Sequence, residues 1–243
     1  MKELQDRVAL VTGASGGIGA AIATALGQRG AQLLLIGRDQ KRLNQTAVRA
    51  SISGQPTPEK FAIDLTKDDD LTALSATIAQ RFGVLDILVH SAGEYERGKT
   101  AEMPIAQLDR QYQANLRAPY LLTQLLLPLV SRKGGDIVFI NSTQGITAGP
   151  DVGAYAATQH GMKALADSLR SEINDAGVRV LSVFLGRTAT ARQERVFLAE
   201  GRPYVPDNLL RPEAVAEMVA TALCLERSAE VVSMTLRPSL KSY

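Results

Sequence analysis

The string Thr12-Gly13-Ala14-Ser15-Gly16-Gly17-Ile18-Gly19 follows the apolar run Val8–Val11 and leads at once into a stretch with helical spacing. Glycines between a strand and a helix allow a tight turn and let the backbone approach a bound phosphate. The helix N-terminus adds free N–H groups and the positive end of its dipole. That is the chemistry of a pyrophosphate cradle. A glycine turn that only tightens strand–helix packing is the competing explanation, and the strand–turn–helix context weighs against it. Further along, Tyr155 and Gln159 stand four residues apart in a helical stretch, so both project from one face. Ser142 closes an apolar run 13 residues before Tyr155.

Other chemistries are poorly supplied. The chain has 243 residues, 45% hydrophobic and 21% charged, with 27 Lys+Arg against 25 Asp+Glu and a net charge of +2. No charge block supports a nucleic-acid or membrane-surface role. A single cysteine, Cys224, excludes an intrachain disulfide and a thiolate metal site. The two histidines, His90 and His160, have no metal-ligand spacing, and no G-x-S-x-G elbow is present to build a Ser-His-Asp hydrolase. No metal is expected, and the chemistry must rest on other side chains or on a cofactor. The charged start Met1–Arg7 and the short run Val8–Val11 do not make a signal peptide. The leucine-rich stretch Leu121–Val130, broken by Thr123, Gln124 and Pro128, falls short of a membrane span. The expected location is the cytoplasm, with Cys224 reduced.

The elements that must hold these residues alternate along the whole chain. Apolar runs predict strands at Val8–Val11, Leu33–Ile36, Phe61–Ile63, Leu85–Val89, Ile137–Ile140, Val178–Leu185 and Val231–Leu236. Helical spacing covers Ile18–Arg29, Gln40–Ser51, Asp68–Phe82, Asn115–Val130, Ala154–Ala176 and Pro212–Leu225, with Asp68 as a cap and Pro212 in a first turn. This alternation predicts an α/β fold: a three-layer Rossmann arrangement, a seven-stranded parallel sheet with helices on both faces, in one domain over 1–243. Ser53–Glu59 reads as a loop. Gly186–Leu210, with Gly201, Pro203 and Pro206, reads as a long irregular binding loop or lid.

Thr-Gly-x-x-x-Gly-Ile-Gly resembles the cofactor loop of the short-chain dehydrogenase/reductase family, and the resemblance runs through the rest of the chain. It implies a nicotinamide dinucleotide held by Gly13, Ser15, Gly17, Ile18 and Gly19. The second strand ends in Gly37-Arg38-Asp39. By the resemblance, Gly37 occupies the place of the NAD-selecting acid and Arg38 that of the NADP-selecting base, with Ser15 close enough to share a 2′-phosphate. NADP(H) is therefore favoured over NAD(H), although Asp39 offsets Arg38 and can equally cap the next helix. Asp64 and Leu65 resemble the pair that holds the adenine, with a simple loop aspartate nearly as good an explanation. His90-Ser91-Ala92-Gly93 replaces the family's Asn-Asn-Ala-Gly. Ala92 and Gly93 would border the cofactor, while His90 is expected to be structural.

The resemblance also assigns a catalytic set. Tyr155 is implied as acid/base, Ser142 as the group that hydrogen-bonds the carbonyl oxygen, and Asn115 as support for a proton-relay water. A loop hydroxyl and a helix cap remain bland alternatives for Ser142 and Asn115. Gln159 stands where the family has a lysine that lowers the tyrosine's pKa and holds the ribose. Without a nearby cation, a tyrosine near ~10 is about 0.1% phenolate at pH 7. Lys163, one turn further, and His160 are candidate substitutes, neither assured. Gly186, Thr188 and Thr190 keep places that contact the nicotinamide and phosphates, and Arg187 adds a cation. The expected activity is hydride transfer between NADP(H) and a small-molecule ketone or secondary alcohol, impaired by Gln159. The alternative is a dinucleotide-binding protein with a regulatory or scaffold role, and a weaker third is a substrate-assisted reaction on the same fold. By resemblance, Asn115–Val130 and Ala154–Ala176 form the interface of a homodimer or homotetramer.

Overall fold

A parallel sheet with the strand order β3-β2-β1-β4-β5-β6-β7 runs through the middle of the molecule in the computed structural model, which describes residues 3–240. Met1 and Lys2 of the charged start lie outside the described residues. The strands are β1 (Val8–Thr12), β2 (Gln32–Gly37), β3 (Glu59–Ala62), β4 (Ile87–His90), β5 (Asp136–Ser142), β6 (Arg179–Leu185) and β7 (Ser233–Leu236). All pairings are parallel, with registers such as Val11 opposite Leu35 and Val11 opposite Val89. The seven strands match the seven apolar runs, with ends shifted by up to two residues.

Side chains alternate between two cores. Ala9, Val11, Leu33 and Leu35 face one, packed by α1 (Gly17–Gln28), α2 (Gln40–Ala50) and α8 (Pro212–Cys224). Leu10, Leu34, Ile36 and Phe139 face the other, packed by α3 (Asp68–Arg81), α5 (Ala118–Val130) and α6 (Gly153–Ile173). Burial on both faces is why these strands read as unbroken apolar runs rather than alternating ones. At the far end of the sheet from the glycine turn, buried Asp136 binds Arg7 at 2.5 Å, Arg179 at 2.7 Å and Arg227 at 3.1 Å, tying β5 and β6 to the start of β1.

Three local expectations need correction. Asp68 does not cap α3. It is the helix's first residue, Lys67 holds the cap position, and the Asp68 carboxylate instead takes Arg117 in a two-point pair. The helix expected from Asn115 starts earlier. A helix α4 (Ile105–Tyr112) runs through a π turn, Gln113–Arg117, into α5. Pro119 has no N–H to offer the Asn115 carbonyl four residues before it, so the ladder must rearrange at that point. The stretch Gly186–Leu210 is not irregular. It carries helix α7 (Ala191–Ala199), capped by Thr190, and a short 3-10 turn at Pro206–Asn208. Thr190 accepts from the Gln193 N–H at 3.2 Å. Pro212 does open α8, as expected.

Candidate active site

Strand order reverses direction between β1 and β4, and a cleft of about 710 Å3 opens there at the carboxyl ends of the strands. Thr12 fixes its floor. Its hydroxyl donates to the Val89 carbonyl at 3.2 Å and accepts from the Ser91 and Ala92 N–H groups at 2.9 and 3.1 Å. Gly13 then turns with φ +69°, and a Cβ there would meet the Ala92 nitrogen at 2.8 Å, so only glycine lets the β1 turn lie against the end of β4. Gly17 and Ile18, with Ala92 and Gly93, line the cleft. Gly19 does not. It sits behind the turn, where a Cβ would be 2.5 Å from the Gly13 carbonyl oxygen, so it sets how closely α1 packs on the turn.

At the outer end of the cleft, Ser15 lies against Gly37. A Cβ at Gly37 would stand 2.0 Å from Ser15 Oγ, so a side chain there would have to turn the Ser15 hydroxyl out of its present place. Ser15 Oγ is buried with no hydrogen-bond partner among the described residues. Arg38 lines the same end with a side chain 71% exposed, paired with Glu94 at 3.3 Å. Asp39 caps α2, accepting from the Arg42 N–H at 3.0 Å, which is the simpler of the two explanations of that residue. An orphaned hydroxyl, an exposed arginine and a glycine where an acid would repel a phosphate fit a phosphorylated ribose. Asp64 and Leu65 border this end too. Asp64 accepts from Thr66 N and Oγ1 at 3.0 and 2.8 Å. These bonds, with the charges of Arg38 and Lys67, hold its carboxyl below the usual range.

The inner end brings together Ser142, Tyr155 and Gln159, carried by the end of β5 and the first turns of α6. Asn141, not anticipated from sequence, joins these two elements. Its Nδ2 donates to the Gln159 carbonyl at 3.0 Å, and its Oδ1 accepts from the Ser142 N–H at 2.6 Å. Ser142 Oγ accepts from Gln144 N at 3.1 Å and lies close enough to the Tyr155 hydroxyl to favour its phenolate. Tyr95, from the loop after β4, packs edge-on against Tyr155 with ring centroids 4.8 Å apart. Burial pushes the Tyr155 hydroxyl above its ordinary value, while Arg192 and Ser142 pull it back down. Gln159 is 4% exposed and brings no charge. The two candidate cations on α6 do not serve. Lys163 is bound to Asp167 at 2.6 Å, and exposed His160 has its Nδ1 on the Ala156 carbonyl at 2.9 Å.

Asn115 sits in the π turn, 2% exposed, and lines the cleft. Its amide is fully used. Oδ1 accepts from Glu94 N at 2.7 Å, and Nδ2 donates to Glu94 O at 2.9 Å and Thr158 Oγ1 at 3.1 Å. Thr158 in turn donates to the Tyr155 carbonyl at 2.7 Å, so Asn115 links the β4 loop to the tyrosine's own turn. His90 is structural, as expected. It stacks on Phe139, bonds Thr123 Oγ1 at 2.9 Å, and burial lowers its pKa to about 3.

The third wall comes from the end of β6 and from α7. Gly186, Thr188 and Thr190 line it. Thr188 donates to the Gly186 carbonyl at 3.0 Å. Arg187 turns to Glu200 at 2.8 Å and lies over the Phe197 ring. Glu200, 8% exposed, also takes Arg97 and Arg202, an ion cluster that sequence reasoning missed because its members lie up to 105 positions apart. Arg192 has a different contact: it donates across the cleft to the Gly93 carbonyl.

A glycine-turned Rossmann cleft ending at a paired tyrosine and serine defines a dinucleotide-dependent oxidoreductase. The chain belongs to the short-chain dehydrogenase/reductase family: residues 7–201 match the short chain dehydrogenase sequence profile. It is 31% identical over 240 residues to an uncharacterized oxidoreductase of Staphylococcus epidermidis, covering 98% of this chain and all of the relative. A short-chain dehydrogenase of Shigella flexneri complexed with NADP superposes with a TM-score of 0.88 at 28% identity, covering 97% of this chain and 99% of that one. A metagenomic short-chain oxidoreductase in complex with NADP gives 0.84 at 32% identity, covering 98% and 100%. The protein is thus an enzyme that acts on a CH–OH or carbonyl group with a nicotinamide dinucleotide. Among the described residues no helix is long and apolar enough to cross a membrane.

Proposed function

We propose that the chain is an NADP(H)-dependent reductase of a small ketone, running more readily toward the secondary alcohol than away from it. The observation that carries this is the Tyr155–Ser142 pair at the inner end of a cleft whose outer end offers Ser15 and Arg38. The NADP found in two solved relatives supports the choice of cofactor. Backbone at Gly13, Gly17 and Ile18 and the α1 N-terminus would take the pyrophosphate, Asp64 and Leu65 the adenine side, and Gly186, Thr188 and Thr190 the nicotinamide side. Bound cofactor supplies or accepts the hydride. Ser142 donates a hydrogen bond to the carbonyl oxygen, and Tyr155 gives that oxygen its proton. Asn115 works by holding Glu94 and the Tyr155 turn in place, and Gln159 offers an amide to the ribose hydroxyls.

Burial keeps Tyr155 as the phenol, the form that reduction uses, and leaves little of the phenolate that oxidation needs. The neutral Gln159 therefore costs the oxidative direction more than the reductive one. The same neutrality is the one observation that favours a dinucleotide-binding protein without turnover. We further propose a single cytoplasmic domain that self-associates through α5 and α6, where exposed Tyr120 on α5 supports an interface. The test is cofactor consumption against a panel of carbonyl compounds at two pH values, with Tyr155→Phe alongside. Turnover that the variant abolishes supports the reading. Turnover that survives in the variant refutes the assignment of Tyr155, and tight NADPH binding with no turnover in either favours the non-catalytic alternative.

A further inference from the structure

We propose that Arg192 supplies the positive charge that position 159 lacks, acting from the opposite wall of the cleft on Tyr155. This rests on the assignment of Tyr155 as proton donor. Three observations carry it. First, α6 offers nothing: Gln159 is neutral, Lys163 is spent on Asp167 and His160 turns back to Ala156. Second, Arg97 and Arg187, which line the same cleft, are held in ion pairs. Arg97 and Arg187 share Glu200, and Arg97 also takes Asp151. Arg192 has no carboxylate partner among the described residues, so its charge is not cancelled locally. Third, its placement runs against its own helix. Arg192 is the second residue of α7, where a cation opposes the dipole. Its guanidinium is nevertheless anchored on the Gly93 carbonyl, in the cleft that Tyr155, Ser142 and Gln159 also line, two residues before the Tyr95 that packs on Tyr155.

The groups that face Tyr155 are Ser142 from β5, Tyr95 from the loop after β4, with Arg97 behind it, and Arg192 from α7. Tyr95 is itself raised by burial and stays a neutral phenol through the working range. Of these, Arg192 has the largest lowering effect on the Tyr155 hydroxyl, opposing burial. Arg192 is a positioning residue in the sense that it acts through Tyr155 and needs no contact with substrate. Because it is exposed, its influence must weaken as salt rises.

The test reads the phenolate directly, without cofactor. The absorbance titration of each protein is taken as a difference from the same protein carrying Tyr155→Phe, so that only Tyr155 is followed. Arg192→Gln should raise the midpoint by about half to one pH unit, three- to tenfold less phenolate at a given pH, and Arg192→Lys should restore most of it. Raising the salt should move the parent protein's midpoint upward and leave that of Arg192→Gln in place. Arg192→Met, at the same exposed position, repeats the measurement should the glutamine variant fold poorly. A midpoint that Arg192→Gln leaves unmoved, with NADPH affinity weakened instead, overturns the inference and makes Arg192 a phosphate ligand. The outcome is separable from that of the functional reading: surviving turnover in Tyr155→Phe refutes the catalytic role, whereas an unmoved midpoint refutes only the role of Arg192.

Discussion

Replacing Gln159 by lysine should make the enzyme a better dehydrogenase in the alcohol-oxidising direction. Residues four apart on a helix face stand about 5–6 Å apart at Cβ. At ~6 Å and an effective dielectric of ~20, opposite unit charges attract by about 3 kcal/mol, which is ~2 pH units of phenolate stabilisation. The cleft is open to water and a lysine tip can swing, so the working expectation is about one unit, or tenfold more phenolate below the midpoint. Oxidation needs the phenolate and rises with pH to the Tyr155 midpoint, so its rising limb should move to lower pH. Reduction needs the phenol, so its falling limb should move the same way. The assay is kcat/KM against pH in both directions at saturating cofactor. Position 159 is 4% exposed, and a lysine buried there is itself pushed toward its neutral form. Gln159→Arg, which stays charged, controls for that. If both variants fold and bind NADPH and neither limb moves, position 159 does not govern Tyr155 and the electrostatic reasoning fails.

Arg38→Ala should weaken NADPH binding by about tenfold or more and change NADH binding little, read by calorimetric titration; equal losses for both would end the 2′-phosphate assignment. Asn115→Ala removes both bonds to the Glu94 backbone and the link to Thr158. It should cost about 2–3 kcal/mol in denaturant unfolding together with most of the activity. His90 has a folded pKa of about 3 against an unfolded value near ~6.5, so the unfolded chain binds the extra proton between them. Stability should therefore fall as pH drops through that window, by on the order of a few kcal/mol in all, and His90→Gln should flatten the slope.

The sheet was legible because burial on both faces leaves a strand nothing but apolar side chains, as in Leu33–Ile36, and each run stands on a real strand. Helices were harder where their apolar face is narrow. In α4, Gln111 is the buried residue, and α7 buries only Phe197, so neither has the stripe by which a helix is recognised. The cap expected at Asp68 failed because Arg117, 49 positions away, claims its carboxylate, a competitor that local spacing does not reveal. Much the same divides the site. Ser142, Tyr155 and Gln159 lie close in sequence on two adjoining elements, so their spacing carried the arrangement. Arg192 lies in the stretch Gly186–Leu210 expected to form a binding loop, but only the folded chain shows it on a helix of the same cleft as Tyr155, with Tyr95 joining from the loop after β4.

That division bears on how the missing lysine is to be judged. A departure at position 159 looks like lost function while the tyrosine's surroundings are read from α6 alone, because every neighbour visible at helical spacing is neutral, occupied or turned away. The hydroxyl's titration, however, is set by all charges around it, and β4, β6 and α7 deliver theirs through space. Glu200 and Asp151 offset much of the charge of Arg97, Arg187 and Arg202, whereas Arg192 has no carboxylate partner among the described residues. The field at Tyr155 therefore keeps a positive contribution even though its own helix provides none. If that contribution sets the midpoint, Gln159→Lys and Arg192→Gln should act in opposite senses on the same limb, and the double variant should return it near its starting pH. Two substitutions on separate elements that cancel in this way would locate the acid's tuning in the cleft as a whole. Independent shifts that fail to cancel would show that the two positions act on different groups.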